Sequence, residues 1–336
     1  MHNDVVLKIK ELREESKREN KRNLIGAWRE RDRLNGEVVD SFVVILRTRG
    51  CRWAKISGCS MCGYYNDTNP QITEEDMMHQ IEDALSKYKG EKYVKIYTSG
   101  SFLDDGEVPE SVQKKIFESF SGAERIVVET RPEFVNREKA NMLKSYGNVM
   151  VALGLESVND ETLLFRINKG FLVRHYLKAV DILKEKNVKI KTYALLKPPF
   201  MSEADAIREA TEAILFAAKH SEVVSLNPMN IQKNTLVEYL WKRGEYRPPW
   251  LWSIVEALKR TYGATEIVSY PTGAGTTRGA HNCGKCDEKV IKAIYQYSWS
   301  QDISYLDGLK CPCKEKWERI VKYGAYFWDY SVDSIQ

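Results

Sequence analysis

After Asn35-Gly36 the chain alternates short β-branched runs with amphipathic segments, and this alternation limits the fold more than any other feature. Strand-like runs lie at 38–47, 93–98, 125–129, 149–155, 188–195 and 222–226. Between them, apolar residues recur at helical spacing near 73–88, 109–120, 136–146, 172–186 and 203–219. Each of the five strand–helix–strand crossovers returns the chain in the same direction, so the sheet they build is parallel. Six such strands predict an α/β fold, a partial (β/α)6 barrel or a curled open sheet. No internal repeat or low-complexity segment interrupts the series.

The first of these strands empties into GCRWAKISGCSMCGYYND at 50–67, where Cys51, Cys59 and Cys62 have seven and then two residues between them. A cysteine loop between a strand and a helix sits at the open end of an α/β layer, where such folds keep their ligands. The number of thiolates matters. A structural zinc ion takes four ligands, and three cysteines with no nearby His leave one position open. An iron–sulfur cube held by three cysteines likewise leaves one iron free, whereas a simple electron-transfer cluster uses four. The open cluster is the favoured reading, with an incomplete or catalytic zinc site and unrelated buried cysteines as alternatives. A second group, Cys283-x-x-Cys286 and Cys311-x-Cys313, fits a closed four-thiolate zinc site with a helical stretch between its halves. His281 is an alternative ligand there, and a second iron–sulfur cluster is the rival occupant.

A chain of 336 residues can bury a large core and divides naturally into an arm at 1–36, the barrel at 37–230 and a C-terminal region at 231–336. Its net charge of +4 is too small to argue for nucleic acid alone. No apolar run approaches membrane-spanning length and the N-terminus lacks an apolar signal core, so no membrane is expected and a cytoplasmic location is. Seven cysteines, an odd number in ligand-like groups, suit metal rather than disulfides. Residues 4–33 read as a charged helical arm with ten Lys/Arg against seven Asp/Glu, a solvated face or, alternatively, an RNA contact. Past residue 230, a helix is expected at 251–262, a strand at 265–269 and helices at 287–300 and 312–322. Trp241, Lys242, Arg243, Arg247 and Trp250, with Tyr246 and Trp252, interleave cations and aromatics as an RNA-binding surface does. A proline-kinked apolar anchor explains the same stretch equally well. Arg278 in the Gly-rich loop and Lys285 beside the second cysteine group would add phosphate contacts.

The cysteine loop at the end of the first strand resembles that of the radical S-adenosylmethionine (SAM) superfamily. The wide gap between the first two cysteines departs from the usual spacing and resembles the subset containing the elongator-type tRNA-modifying enzymes. Together with the late HNCGKCD and CPC, GCRWAKISGCSMCGYYND is similar to the archaeal family of archaeosine synthase β subunits. The resemblance implies a radical SAM partial barrel with a small zinc-stapled C-terminal region. It also implies a 4Fe–4S cluster on Cys51, Cys59 and Cys62 whose open iron is chelated by SAM. An electron from the cluster, which an external donor reduces, then breaks the sulfonium C–S bond to give a 5′-deoxyadenosyl radical. Ser99 and Gly100, in the Thr98–Ser101 turn, stand where the superfamily's Gly-rich backbone meets SAM, with Ser99 in place of one expected Gly. By position, Glu129 and Glu156 would take ribose hydroxyls or the ammonium, Arg166 the SAM carboxylate with Arg131 as its alternative, and Met61 and Tyr64 the adenine side. Each of these residues is open to an ordinary ion-pair or core role. In the family, a partner synthase subunit attaches lysine to a 7-deazaguanine in the tRNA D-loop. The radical enzyme, a lyase, then breaks a C–N bond of the lysyl group to leave archaeosine. No catalytic acid or base is expected beyond the SAM machinery. The rivals are a radical SAM enzyme acting on another tRNA base or on a protein, a non-catalytic zinc RNA-binding subunit, and a SAM-independent electron-transfer protein.

Overall fold

The strand runs pair strictly in chain order. A computed structural model, which describes residues 2–14 and 20–324, shows one eight-stranded sheet in the order β1 to β8. Its strands are β1 Gly26–Leu34, β2 Glu37–Ile45, β3 Tyr93–Tyr97, β4 Arg125–Thr130, β5 Val149–Glu156, β6 Lys189–Leu196, β7 Val223–Pro228 and β8 Glu266–Val268. From β2 onward every pairing is parallel, as the crossovers require. The six expected strands are β2–β7, and the expected 265–269 strand extends the sheet as β8.

The arm at 4–33 does not continue as one helix. Helix α1, His2–Glu14, is helical as expected, residues 15–19 lie outside the described residues, and Gly26–Leu34 pairs antiparallel with β2 as β1. Asn35 and Gly36 both have positive φ, 51° and 90°, which is the two-residue hairpin turn that an Asn-Gly pair favours. Charge hid this strand in the sequence. Its buried anchor is an acid, Asp32, which is 2% exposed and accepts from Lys95 Nζ at 2.5 Å and from the Tyr270 hydroxyl at 2.9 Å.

The remaining helices are α2 Arg52–Ile56, α3 Glu74–Lys87, α4 Glu110–Ser119, α5 Arg137–Tyr146, α6 Val173–Glu185, α7 Glu203–Ala217, α8 Leu236–Lys242, α9 Leu251–Thr261, α10 Asp287–Ser300 and α11 Cys313–Tyr323. Strand residues alternate between two environments. Ile126, Val128, Val151, Leu153, Val224 and Leu226 join the helices in the main core, while Tyr93, Val127, Met150 and Ala152 form a smaller cluster on the opposite face. That inner face also buries Lys95 and Lys191. Among the described residues no helix is long and apolar enough to cross a membrane.

Among the contacts that join the C-terminal region to the barrel is one buried carboxylate on α7. Glu203, at the start of α7, forms an ion pair with Lys197 Nζ at 2.6 Å and accepts from the Trp250 backbone N–H at 2.9 Å. It also accepts from the Ser253 hydroxyl, which in turn accepts from Trp317 Nε1 at 2.8 Å. Tyr246, Trp250 and Trp252 are all buried. Trp250 therefore has no face free to stack on a base, and that expectation is corrected in favour of the apolar anchor. Removing one partner of a buried ion pair leaves an uncompensated charge, so Glu203→Ala should cost about 3–5 kcal/mol in urea unfolding. Lys197→Met combined with Glu203→Gln, which removes both charges and keeps an acceptor for the Trp250 N–H and the Ser253 hydroxyl, should recover part of that loss.

Candidate functional site

Cys51 lies six residues past β2 and α2 begins directly after it, with the Cys51 carbonyl accepting from Lys55 N–H at 3.3 Å. The loop reverses at Gly58 (φ 94°), and Cys62 N–H donates to the Cys59 carbonyl at 3.4 Å. This loop has no ladder of its own. It is held by the turn after β5, a π-helical segment at Thr162–Arg166 followed by Asn168 in the left-handed region (φ 54°). Ser60 donates from its N–H to the Ile167 carbonyl at 2.8 Å and from its hydroxyl to the Arg166 carbonyl at 2.7 Å. Asn168 Nδ2 donates to the Gly58 carbonyl at 2.7 Å and to Ser57 Oγ at 2.8 Å, while Trp53 Nε1 donates to the Asn168 carbonyl at 2.8 Å.

The turn after β3 closes on the same loop. A Cβ on Gly100 would lie 2.6 Å from Cys51 Cα, so only glycine lets the two backbones approach. Glu107 ties this turn to the end of β2: its carboxylate accepts from Thr48 Oγ1 at 2.7 Å and from Ser101 N–H at 2.8 Å. Burial pushes the Glu107 pKa up to about 7. Sequence reasoning missed Glu107; its one signal was the acidic DDGE following the TSGS turn. Glu129 accepts from Thr98 N–H at 3.2 Å, and burial raises its pKa to about 8. Glu156 sits at a β-bulge with φ 69° and accepts from Lys169 Nζ at 2.7 Å.

Two buried cations face the thiols. Arg131, 7% exposed, donates to the Lys169 carbonyl at 2.9 Å and lies between the Trp53 and Phe171 rings. Its positive charge acts against burial at Cys51, which nevertheless pushes that thiol up to about 12. Burial, and then the neighbouring Cys59, raise Cys62 as well. Metal coordination would remove the protons of such thiols. Lys169 was also missed. Burial opposes its charge, but Glu156 and Cys59 outweigh it and raise its pKa.

The other expected SAM residues divide. Ser99 is buried in the turn. Tyr64 is 53% exposed, with Cys62 and Glu129 as electrostatic neighbours. Met61 packs against the apolar cluster of Ile9, Leu163 and Leu236. Arg166 lies within electrostatic reach of Asp205 and Glu209 on α7, while its carbonyl holds Ser60.

The two cysteine groups differ in geometry. Cys283 Sγ lies 4.0 Å from Cys286 Sγ and 3.7 Å from Cys311 Sγ, and Cys286 Sγ lies 3.6 Å from Cys313 Sγ. Four thiolates 2.3 Å from one ion stand about 3.8 Å apart, so this quartet matches a single tetrahedral metal. Both pairs adjoin helix N-termini, which favour anions. Trp252 Nε1 donates to Cys313 Sγ at 3.3 Å and Asn282 Nδ2 to Cys286 Sγ at 3.4 Å. His281 stands outside the quartet, its Nδ1 within 2.8 Å of the Gly279 carbonyl. Among the described residues this quartet is the only group of ligand-type side chains whose donor atoms all lie within 4.8 Å of one another. The three loop thiols do not form such a group.

Of the expected RNA contacts, Lys242, Arg243 and Lys285 are exposed. Arg247 instead braces the fold, stacking on Trp250 at 4.2 Å and donating to the His281 carbonyl at 2.9 Å. Arg278 donates to the Ile231 carbonyl at 3.1 Å and to Glu238 at 2.7 Å, and lies over the half-buried Trp241 at 4.9 Å.

Residues 45–211 match the family model described as the radical SAM superfamily. The chain is 40% identical over 317 residues to archaeosine synthase subunit beta of Thermococcus kodakarensis, covering 90% of this chain and 98% of that one. It is 38% identical over 311 residues to the protein of the same name from Methanosarcina acetivorans, covering 88% and 89%. This chain belongs to the archaeosine synthase subunit beta family of radical SAM proteins. A solved methylornithine synthase is similar at 15% identity and a TM-score of 0.49, over 67% of this chain and 63% of that one. Radical SAM membership implies a 4Fe–4S cluster and SAM. Three cysteines on one loop, the buried Arg131 and Lys169 beside them and the glycine-only approach at Gly100 fit such a group.

Two outcomes follow for this member of the family. Gly100→Val forces a side chain onto Cys51, and anaerobically reconstituted variant should hold less than about a third of wild-type iron by colorimetric assay. Glu129 has a folded pKa near 8 against 4.5 unfolded, so its contribution is full below about pH 4.5 and is lost as pH rises through 8. Urea unfolding of the metal-free protein should show this decline, by at most about 1.4 kcal/mol per pH unit, and Glu129→Gln should flatten it.

Proposed function

We propose that this protein is the radical SAM enzyme of archaeosine formation in tRNA, a lyase that cleaves the C–N bond of a lysine adduct on 7-deazaguanine in the D-loop. The observation that carries the reading is the open three-thiol loop against the Gly100 turn, with Glu129 and Glu156 beside it, in a chain aligned almost end to end with archaeosine synthase β subunits. Cys51, Cys59 and Cys62 hold the cluster. The Ser99-Gly100 backbone meets the SAM amino group, Glu129 and Glu156 take its hydroxyls or ammonium, and Tyr64 flanks the adenine. Lys169 and Arg131 offset the thiolate charge. When bound, cluster and SAM supply a radical able to take hydrogen from the lysyl chain. What the protein adds is position and exclusion of water, with no side-chain acid or base needed for the fragmentation.

The substrate is tRNA already carrying lysine from a partner synthase subunit, and the electron comes from an external donor. Lys242, Arg243 and Lys285 contact phosphates. The C-terminal quartet holds zinc, because its sulfur spacing matches one tetrahedral ion and leaves no room for a cube.

The test uses anaerobically reconstituted enzyme, dithionite, SAM and lysine-adduct tRNA, with nucleosides analysed by mass spectrometry. Archaeosine and 5′-deoxyadenosine should form in equal amounts and vanish in Cys59→Ala. Production of 5′-deoxyadenosine with the adduct left intact would overturn the substrate assignment. Cys286→Ser should remove close to one zinc per chain while the iron stays; two zincs and no iron in the wild type would favour the non-catalytic RNA-binding subunit.

A further inference from the structure

Helix α1 ends inside the cysteine loop. Ile9 is buried among Leu163, Ile167, Leu236 and Val237, and Lys8 lies 4.6 Å from the centre of the Tyr239 ring, which docks α1 on α8 and on the turn after β5. One turn further along, Arg13 reaches the loop. Its Nη1 donates to the Ala54 carbonyl at 3.2 Å, and its Nη2 donates to the carbonyls of Cys59 at 3.1 Å and Cys62 at 3.4 Å. The guanidinium also lies 5.5 Å from the Tyr65 ring centre. Gly58 leaves the space for it: a Cβ there would lie 2.1–2.3 Å from the guanidinium atoms.

We propose that Arg13 is a positioning residue for the iron–sulfur cluster, fixing the backbone at Cys59 and Cys62 and placing a permanent positive charge behind their thiolates. The inference rests on the reading that Cys51, Cys59 and Cys62 hold that cluster. The planar fork spans the loop, with Nη1 on the Ala54 carbonyl and Nη2 shared between the carbonyls of Cys59 and Cys62, a fixed three-point geometry that the compact ammonium of a lysine does not reproduce. Such outer partners orient ligands and govern how firmly the metal is held. A cation beside the cluster favours the added electron of the reduced state, so it raises the reduction potential. Arg13 also walls a cavity of about 380 Å³ between α1 and α2, lined by Lys10, Lys55, Ile56 and Tyr65 as well. Losing the guanidinium opens the back of the loop to this solvent space.

The experiment compares anaerobically reconstituted wild type, Arg13→Gln, Arg13→Lys, Lys10→Gln and Cys59→Ala. Iron release to excess bathophenanthroline and the midpoint potential, followed by electron paramagnetic resonance, are read for each, with a circular dichroism melt of the metal-free form. Arg13→Gln should release iron about tenfold faster and shift the potential negative. Arg13→Lys, which keeps charge but not the fork, should release iron faster with a near-wild-type potential. Lys10→Gln removes a charge from the same cavity without touching the loop and should match wild type in both. Wild-type values in Arg13→Gln would overturn the proposal, as would an equal potential shift in Lys10→Gln. Should Arg13→Gln fail to fold, unchanged iron release in Arg13→Lys overturns it. Full iron retention in Cys59→Ala would instead overturn the ligand assignment beneath it, so the two failures are separable.

Discussion

The structure turns on holding a loop that cannot hold itself. The loop that carries Cys51, Cys59 and Cys62 belongs to no sheet and has little helix of its own. Its backbone is therefore bonded to distant segments: Ser60 to Ile167 and Arg166, Gly58 to Asn168, and Cys59 and Cys62 to Arg13. The barrel's contribution is to bring these segments to one end of the sheet. Strained backbone at Gly58, Glu156 and Asn168 gathers at that end too, where surrounding contacts fix it in place.

Charge is handled by the same economy. Buried cations and carboxylates are rare unless paired. Here Lys169 meets Glu156, Lys95 meets Asp32, and Lys197 meets Glu203, each inside the protein. At the loop Arg131 and Lys169 lie beside the thiols, paired with Glu133 and Glu156. Glu107 and Glu129, by contrast, carry few compensating charges, and burial raises both.

The C-terminal region shows how one residue type can serve two ends. Cations interleaved with aromatics over 241–252 have the composition of a nucleic-acid surface, but half of that stretch is internal bracing. Arg247 stacks on Trp250, Trp252 bonds to Cys313, and Glu203 anchors the set to α7. The quartet and the barrel are thus mechanically continuous, while Lys242, Arg243 and Lys285 stay exposed.

By itself, the sequence determined the parallel strands β2–β7, the helices between them, the cysteine loop and the C-terminal quartet. Each is written in local periodicity or spacing, and local patterns survive whatever packs against them. Only the tertiary structure decided the rest. β1 stayed hidden because its buried anchor, Asp32, looks like a surface acid until Lys95 and Tyr270 arrive from 63 and 238 residues away. Glu107, Lys169 and Arg13 read as ordinary surface charges for the same reason. A buried charge is recognisable only by its partner, and the partner is chosen by the fold.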